Sequence, residues 1–213
     1  MAQNINLKEL EKKAWRSTFE DGLFDIYLGI LFFGIGTGSA FGLIFGQWYN
    51  YLFIFLIMGV SIIILTLGKN YITVPRVGFV KFGKQRKIRK AKIMLVLIIN
   101  IIFLLAIWYL LTTPQGGLKY ELPFNAFSGL FIGLLMMIPL WAVAYLLQFN
   151  RLFYHAILIG LTPFATDLLE LFMNNILSII LAYAIMDGII VITGVVFLFR
   201  FLKKYPLPKG EVE

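Results

Sequence analysis

Six long apolar stretches, separated by short polar segments, dominate the pattern of the chain. Each has close to the ~20 residues that an α-helix needs to cross the hydrocarbon core of a bilayer. The predicted spans are 23–45, 49–67, 93–113, 126–148, 152–173 and 177–200. The pattern therefore predicts an all-α fold, a polytopic integral membrane protein with six transmembrane helices.

A shorter amphipathic pattern precedes the first span. Apolar residues recur at spacings of three and four between Leu7 and Phe19, and the lysines lie mostly on other faces. Asn6 and Glu9 have the spacing of a helix-capping pair. We therefore expect residues 1–22 to form a helix on the cytoplasmic surface of the membrane.

The one sizeable hydrophilic loop between spans is 68–92. Its first part, 71–82, is β-branched and aromatic and holds Pro75 and Gly78, which predicts a short hairpin or extended turn. Its second part is strongly basic. Basic clusters beside a span attract anionic lipid headgroups. The residues expected to bind such lipid are Lys84, Arg86, Lys87, Arg89 and Lys90. A phosphate-bearing ligand or an acidic partner is the alternative.

Composition supports the membrane assignment and removes several classes of function. Hydrophobic residues make up 60% of the 213 residues and charged residues 14%, which is too apolar for an ordinary soluble domain. The chain has no Cys, so disulfides and thiolate metal sites are excluded. We expect no cofactor and no bound metal. The net charge of +8 lies mostly at membrane edges, so we expect no nucleic acid partner.

The placement of Lys and Arg predicts an orientation. If the first segment is cytoplasmic, eighteen of the nineteen cations fall on the cytoplasmic side and only Lys119 falls outside. Cytoplasmic loops carry such an excess of cations. We therefore predict a bundle over 23–200 in the inner membrane of a cell, with a short cytoplasmic tail at 201–213.

Small residues mark the first span as a packing helix. Gly34, Gly38, Gly42 and Gly46 recur at every fourth position and form a seam along one face. Such a seam lets another helix approach closely. Gly129 and Gly133 make a shorter version in the fourth span. Packing within one chain and packing in a homo- or hetero-oligomer both remain open.

Three acidic residues within the spans are the candidate functional site. Asp167, Glu170 and Asp187 are costly to place in a bilayer, and ionisable residues there commonly serve transport. Counting the helical rise from the cytoplasmic ends places Asp167 and Asp187 at ~20–25 Å, in the outer half of the membrane. No Lys or Arg is predicted at that depth. The carboxyls are either neutral groups that hold helices together or part of a wet site for protons or cations.

An enzymatic function is disfavoured by depth. An intramembrane serine protease needs a serine and a histidine within hydrogen-bond reach. The candidates Ser39 and His155 are expected near opposite sides of the membrane, ~20 Å apart. We therefore assign no catalytic residue.

Three short elements resemble a group of small prokaryotic multi-pass membrane proteins that has no known activity. They are DGLFD at 21–25, PRVGFV at 75–80 and KYPLP at 204–208. The resemblance implies a short, freestanding inner-membrane protein and gives no residue a catalytic role.

Two hypotheses about function follow from these patterns. The first is a small proton- or cation-linked transporter or channel that uses the acidic cluster in the outer half. The alternative is a non-catalytic membrane subunit or scaffold that assembles with partner proteins or with anionic lipid.

Overall fold

The structure, a computed structural model, describes residues 19–77 and 126–207 and a few residues between 88 and 102. Of these, 90% are helical and none lies in a strand, which confirms the all-α class for the described residues. Five of the described helices are long and apolar enough to cross a membrane. The predicted span 93–113 falls mostly outside the described residues.

The long helices follow the predicted spans to within a few residues. In chain order the helices are α1 Leu23–Phe45, α2 Gln47–Gly68, α3 Val74–Val77, α4 Ala126–Leu147, α5 Asn150–Glu170 and α6 Asn175–Lys204. A π-helical turn, Lys69–Thr73, joins α2 to α3 without a break. The last helix continues beyond its predicted end at residue 200.

The chain divides into two compact units. Unit one holds α1, α2, α3 and the greater part of α6, from residue 179 onward. Unit two holds α4, α5 and the first residues of α6.

A glycine turn joins the first two helices of unit one. Gly46 has φ 103° and ψ 162°, a conformation that is open essentially only to glycine. Its N–H donates to the carbonyl oxygen of Gly42 at 2.9 Å. Beside the turn, the rings of Phe41 and Phe53 stack with their centroids 4.7 Å apart. The turn thus makes α1 and α2 an antiparallel hairpin.

One glycine face of α1 lies against α2. A Cβ placed on Gly38 would lie 2.7 Å from Cγ1 of Ile54, and one on Gly42 would lie 2.8 Å from Cβ of Asn50. Gly34 meets a side chain of α2 in the same way. Gly46 has no neighbour within 4 Å of such a Cβ, so its role is in the turn.

A second glycine face of α1 lies against α6. Gly22, Gly29 and Gly36 are spaced by seven residues, and a Cβ on each would collide with α6. At ~100° of rotation per residue, Gly29 and Gly34 point about 140° apart around the helix. Within unit one, α1 therefore lies between α2 and α6.

The prediction of a hairpin or extended turn over 71–82 is wrong for residues 71–77. The helix of α2 continues through the π turn into α3, although Pro75 has no N–H to donate. Arg76 Nη1 donates to the carbonyl oxygen of Ile72 at 2.9 Å. Side chains of the π turn also bind an aspartate that precedes α1, a long-range contact that the local pattern does not contain. The remainder of 71–82 lies outside the described residues.

Unit two contains an antiparallel pair, α4 and α5. The helices approach so closely that a Cβ on Gly160 would lie 2.9 Å from the carbonyl oxygen of Gly133. Trp141 Nε1 donates to the carbonyl oxygen of Phe153 at 3.2 Å. Both helices continue through an internal proline, Pro139 in α4 and Pro163 in α5.

Several predicted segments lie outside the described residues. They are residues 1–18 of the surface helix, the lipid-binding cations of the basic loop, Lys119 and residues 208–213. Residues 19–22, the end of the predicted surface helix, form a turn and a bend.

Candidate functional site

Unit one has a charged end, which we define as the end where α1 begins and where α2 and α6 finish. Lys69 Nζ lies 2.6 Å from Asp21 Oδ2 and joins the end of α2 to the start of α1. Lys204 Nζ lies 3.3 Å from Glu20 Oε2 and joins the end of α6 to the same segment. Charged side chains thus bring the three helix ends together.

Asp21 is the centre of this end. Its carboxylate is fully buried and accepts three hydrogen bonds. The donors are Lys69 Nζ at 2.6 Å, Thr73 Oγ1 at 2.6 Å and the backbone N–H of Leu23 at 3.2 Å. The first two donors lie at opposite ends of the π turn, and the third is the first residue of α1. Asp21 therefore binds α1 to the π turn through an ionised, well-satisfied carboxylate.

Two further acids lie at the interface of α1 and α6. Asp25 is fully buried, one turn from Asp21 and one turn from Gly29. A Cβ placed on Gly29 would lie 3.0 Å from the carbonyl oxygen of Asp187 and 2.5 Å from Cγ2 of Val191. Asp187 is thus level with the second turn of α1.

Asp187 has different surroundings from Asp21. Its exposure is 1%, and neither carboxyl oxygen has a hydrogen-bond partner among the described residues. Tyr183, one turn earlier on the same face of α6, packs its ring over Gly36. Because Gly29 and Gly36 have no side chains, the backbone of Asp187 and the ring of Tyr183 can pack directly against α1.

The contact with Gly29 gives a second measure of the position of Asp187, relative to the start of α1. Gly29 is six residues beyond the start of α1, so the backbone carbonyl of Asp187 lies ~9 Å from the start of that helix. Counting from Arg200 gives ~20 Å because α6 runs past the start of α1. Gly194, rather than the end of α6, is level with Gly22.

Burial without partners restricts the chemical state of Asp187. An ionised carboxylate that is removed from water and has no donor is very costly, whereas a neutral carboxyl costs much less. The side chain therefore suits a group that holds a proton, or one that pairs with a cation.

Asp167 and Glu170 lie in unit two and have different surroundings. Asp167 Oδ2 accepts a hydrogen bond from the N–H of Gly129 at 2.7 Å. Gly129 is in the first turn of α4, where N–H groups lack partners within the helix and carry the positive end of its dipole. Asp167 therefore stabilises the start of α4. Glu170, the last residue of α5, is exposed. The three predicted acids are thus divided between the units, with Asp187 in unit one.

Sequence reasoning did not assign Asp21 and Asp25 to the candidate site. Asp21 falls at the end of the predicted surface helix and Asp25 at the start of the first predicted span, and both belong to the DGLFD element. The seven-residue spacing of Gly22, Gly29 and Gly36 indicates a second packed face of α1. Asp25 lies on that face, so this spacing is the sequence signal that could have identified it. The ion pair of Asp21 with Lys69 has no local signal, since 48 residues separate the partners.

Comparisons of the chain with models of protein families, with curated proteins and with solved structures find no match. Among the described residues, no group of three or more His, Asp or Glu side chains is arranged to hold a metal ion. The functional argument therefore depends on the geometry of the two units.

Proposed function

We propose that the chain is an inner-membrane protein with six spans and with both ends in the cytoplasm. The path of the chain through unit one supports an odd number of crossings between 78 and 178. The chain leaves this unit at the charged end, after Val77. It returns through α6, which enters at the opposite end and runs past Tyr183 toward the charged end.

Two of these crossings are supplied by α4 and α5. An odd total requires a third, and the apolar stretch 93–113 has the length for it. The charged end carries the cations of the π turn, of α3 and of the end of α6. By the positive-inside rule this end faces the cytoplasm.

Within this topology, the function best supported is the transport of protons or other cations, by a transporter or a channel. The observation that carries it is Asp187, a carboxyl that is 1% exposed and has no hydrogen-bond partner among the described residues. A purely structural carboxyl would be expected to have donors, as Asp21 has. Asp167 and Glu170 are further candidate acids, in unit two.

Flux into proteoliposomes tests this function. Purified protein is reconstituted with a pH-sensitive dye and a cation-sensitive dye inside the vesicles, and a pH or cation gradient is applied. We expect wild-type vesicles to show flux that empty vesicles lack, and Asp187→Asn to abolish it. Glu20→Gln is the matched control, because Glu20 is an exposed acid of the same unit. Flux that Asp187→Asn leaves intact would refute the assignment.

A non-catalytic membrane subunit or scaffold is the second candidate function. The face of α1 that carries Gly34, Gly38 and Gly42 is occupied by α2, so assembly is proposed through the outer face of α2. That face exposes large apolar residues, which are Leu52, Phe55, Leu56 and Ile63. They suit lipid or a partner protein, and the basic loop suits anionic lipid.

Purification of the protein together with its bound partners tests the scaffold function. A specific complex should be lost in Phe55→Ala with Leu56→Ala, while Phe199→Ala, which removes an exposed ring of α6, leaves it intact. A complex that survives the double substitution would exclude this surface.

A further inference from the structure

We infer that the ion bound in unit one is a proton, that Asp187 holds it in a neutral carboxyl, and that Asp25 exchanges it with the charged end. The inference rests on the proposed transport function and names its ion and its route. It depends on three features of the interface between α1 and α6: the isolation of Asp187, the register of the acids and the neighbouring polar groups.

The surroundings of Asp187 suit a proton better than a metal cation. A proton needs one carboxyl oxygen, whereas a bound cation such as Ca²⁺ needs six to eight oxygen ligands. Ser61 of α2 is a fully buried hydroxyl of the same unit, and its Oγ already donates to the carbonyl oxygen of Met58 at 2.8 Å. No group of three or more acids or histidines that suits a metal occurs among the described residues. A neutral carboxyl is then the form with the lowest cost of burial.

The register of the acids provides a route from the charged end. Asp21, Asp25 and Gly29 follow one another at intervals of four residues, or ~6 Å of helical rise. The backbone carbonyl oxygen of Asp187 is level with Gly29. The side chains of α6 lean toward its N-terminus, away from the charged end, so the carboxyl of Asp187 lies more than one turn from Asp25. A proton passes between the two carboxyls through water.

The other ionisable groups of this interface occupy distinct positions. On α6, Tyr183 lies one turn beyond Asp187, on the side away from the charged end. On α1, Asp25 lies one turn nearer to that end. Lys69, at the end of α2, is held against Asp21 at 2.6 Å. Asp187 thus has an acid on the side of the charged end and a tyrosine hydroxyl on the other side.

The transfer is a simple proton exchange. The carboxyl of Asp187 releases its proton through water to the carboxylate of Asp25 and becomes a carboxylate. Asp25 then releases the proton to solvent water at the charged end. The new carboxylate at Asp187 is costly in this apolar interface, so it takes up the next proton. No other reactant is consumed.

Infrared spectroscopy tests the charge of Asp187 without any transport assay. The chain has only four aspartates, so ¹³C labelling of their side-chain carboxyl carbons identifies an aspartate band. We expect a band of protonated carboxyl at neutral pH in the wild type, and its loss in Asp187→Asn. Asp25→Asn should keep the band and slow its response to a pH jump on the cytoplasmic side. Glu20→Gln should change neither.

The outcomes separate this inference from the proposed function. Spectra with only ionised aspartate at neutral pH would overturn the inference, even if the vesicles show flux. Flux of metal cations that needs no pH gradient and no Asp25 would also overturn it, while leaving transport itself intact. The expected band without any flux would refute transport and with it the proton route. If Asp187→Asn does not fold, Asp187→Glu replaces it, and the ¹³C-aspartate band should disappear in the same way.

Discussion

The ion pair between Lys69 and Asp21 provides the sharpest test of the packing in unit one. In Lys69→Met the apolar length of the side chain is kept and the ammonium group is lost. The Asp21 carboxylate stays fully buried, with only Thr73 and the Leu23 N–H as donors. Breaking a buried pair in this way typically costs ~3–5 kcal/mol. Because the Lys69 side chain is 25% exposed, water compensates in part, and we expect a loss of about 2–3 kcal/mol.

The assay is reversible unfolding of the purified protein in mixed micelles, monitored by the fluorescence of its four tryptophans. The matched control is Lys204→Met, because Lys204 pairs with Glu20 at 3.3 Å where both side chains are exposed. We expect no measurable loss there. Asp21→Asn in the Lys69→Met background should recover part of the stability, since it removes the uncompensated charge. Equal stabilities of Lys69→Met and Lys204→Met would refute the reasoning.

Three further predictions use the same unfolding assay. Gly36→Ala should destabilise the protein because its methyl group meets a ring of α6, whereas Gly59→Ala has free space around it and should stabilise the protein by up to ~1 kcal/mol through helix propensity. A Gly36→Ala protein more stable than Gly59→Ala would contradict the packing. Gly46→Ala should cost ~1–3 kcal/mol because φ is 103° there, and an unchanged stability would exclude that turn. Asp167→Leu should cost ~1–3 kcal/mol by leaving a first-turn N–H of α4 without its acceptor, while Asp167→Asn keeps an acceptor and should cost less; equal costs would exclude the hydrogen bond.

The sequence predicted those elements that depend on apolar length and on glycine. The predicted span 23–45 coincides with α1, because a glycine turn ends it and an apolar run fills it. The fourth and fifth spans also have α-helices at their positions, and their prolines do not end them. Hydrophobic length is a local property, so a single sequence contains it.

The features that the sequence missed depend on contacts between distant residues. The π turn places Lys69 and Thr73 on Asp21, and no local rule predicts helix across the β-branched residues and proline that follow. The position of Asp187 along α1 depends on the axial register between α6 and α1. That register is set by the contacts of Gly22, Gly29 and Gly36, and a count along α6 alone does not contain it.

The most direct test of the account is the side of the membrane on which residues 86 and 119 lie. The chain has no native cysteine, so Arg86→Cys and Lys119→Cys each create a single reactive thiol. A membrane-impermeant maleimide applied to intact cells should label residue 119, and it should label residue 86 only after permeabilisation. Labelling of both residues from the same side would contradict a third crossing between 78 and 125. Labelling of residue 86 from outside, with residue 119 protected, would invert the orientation.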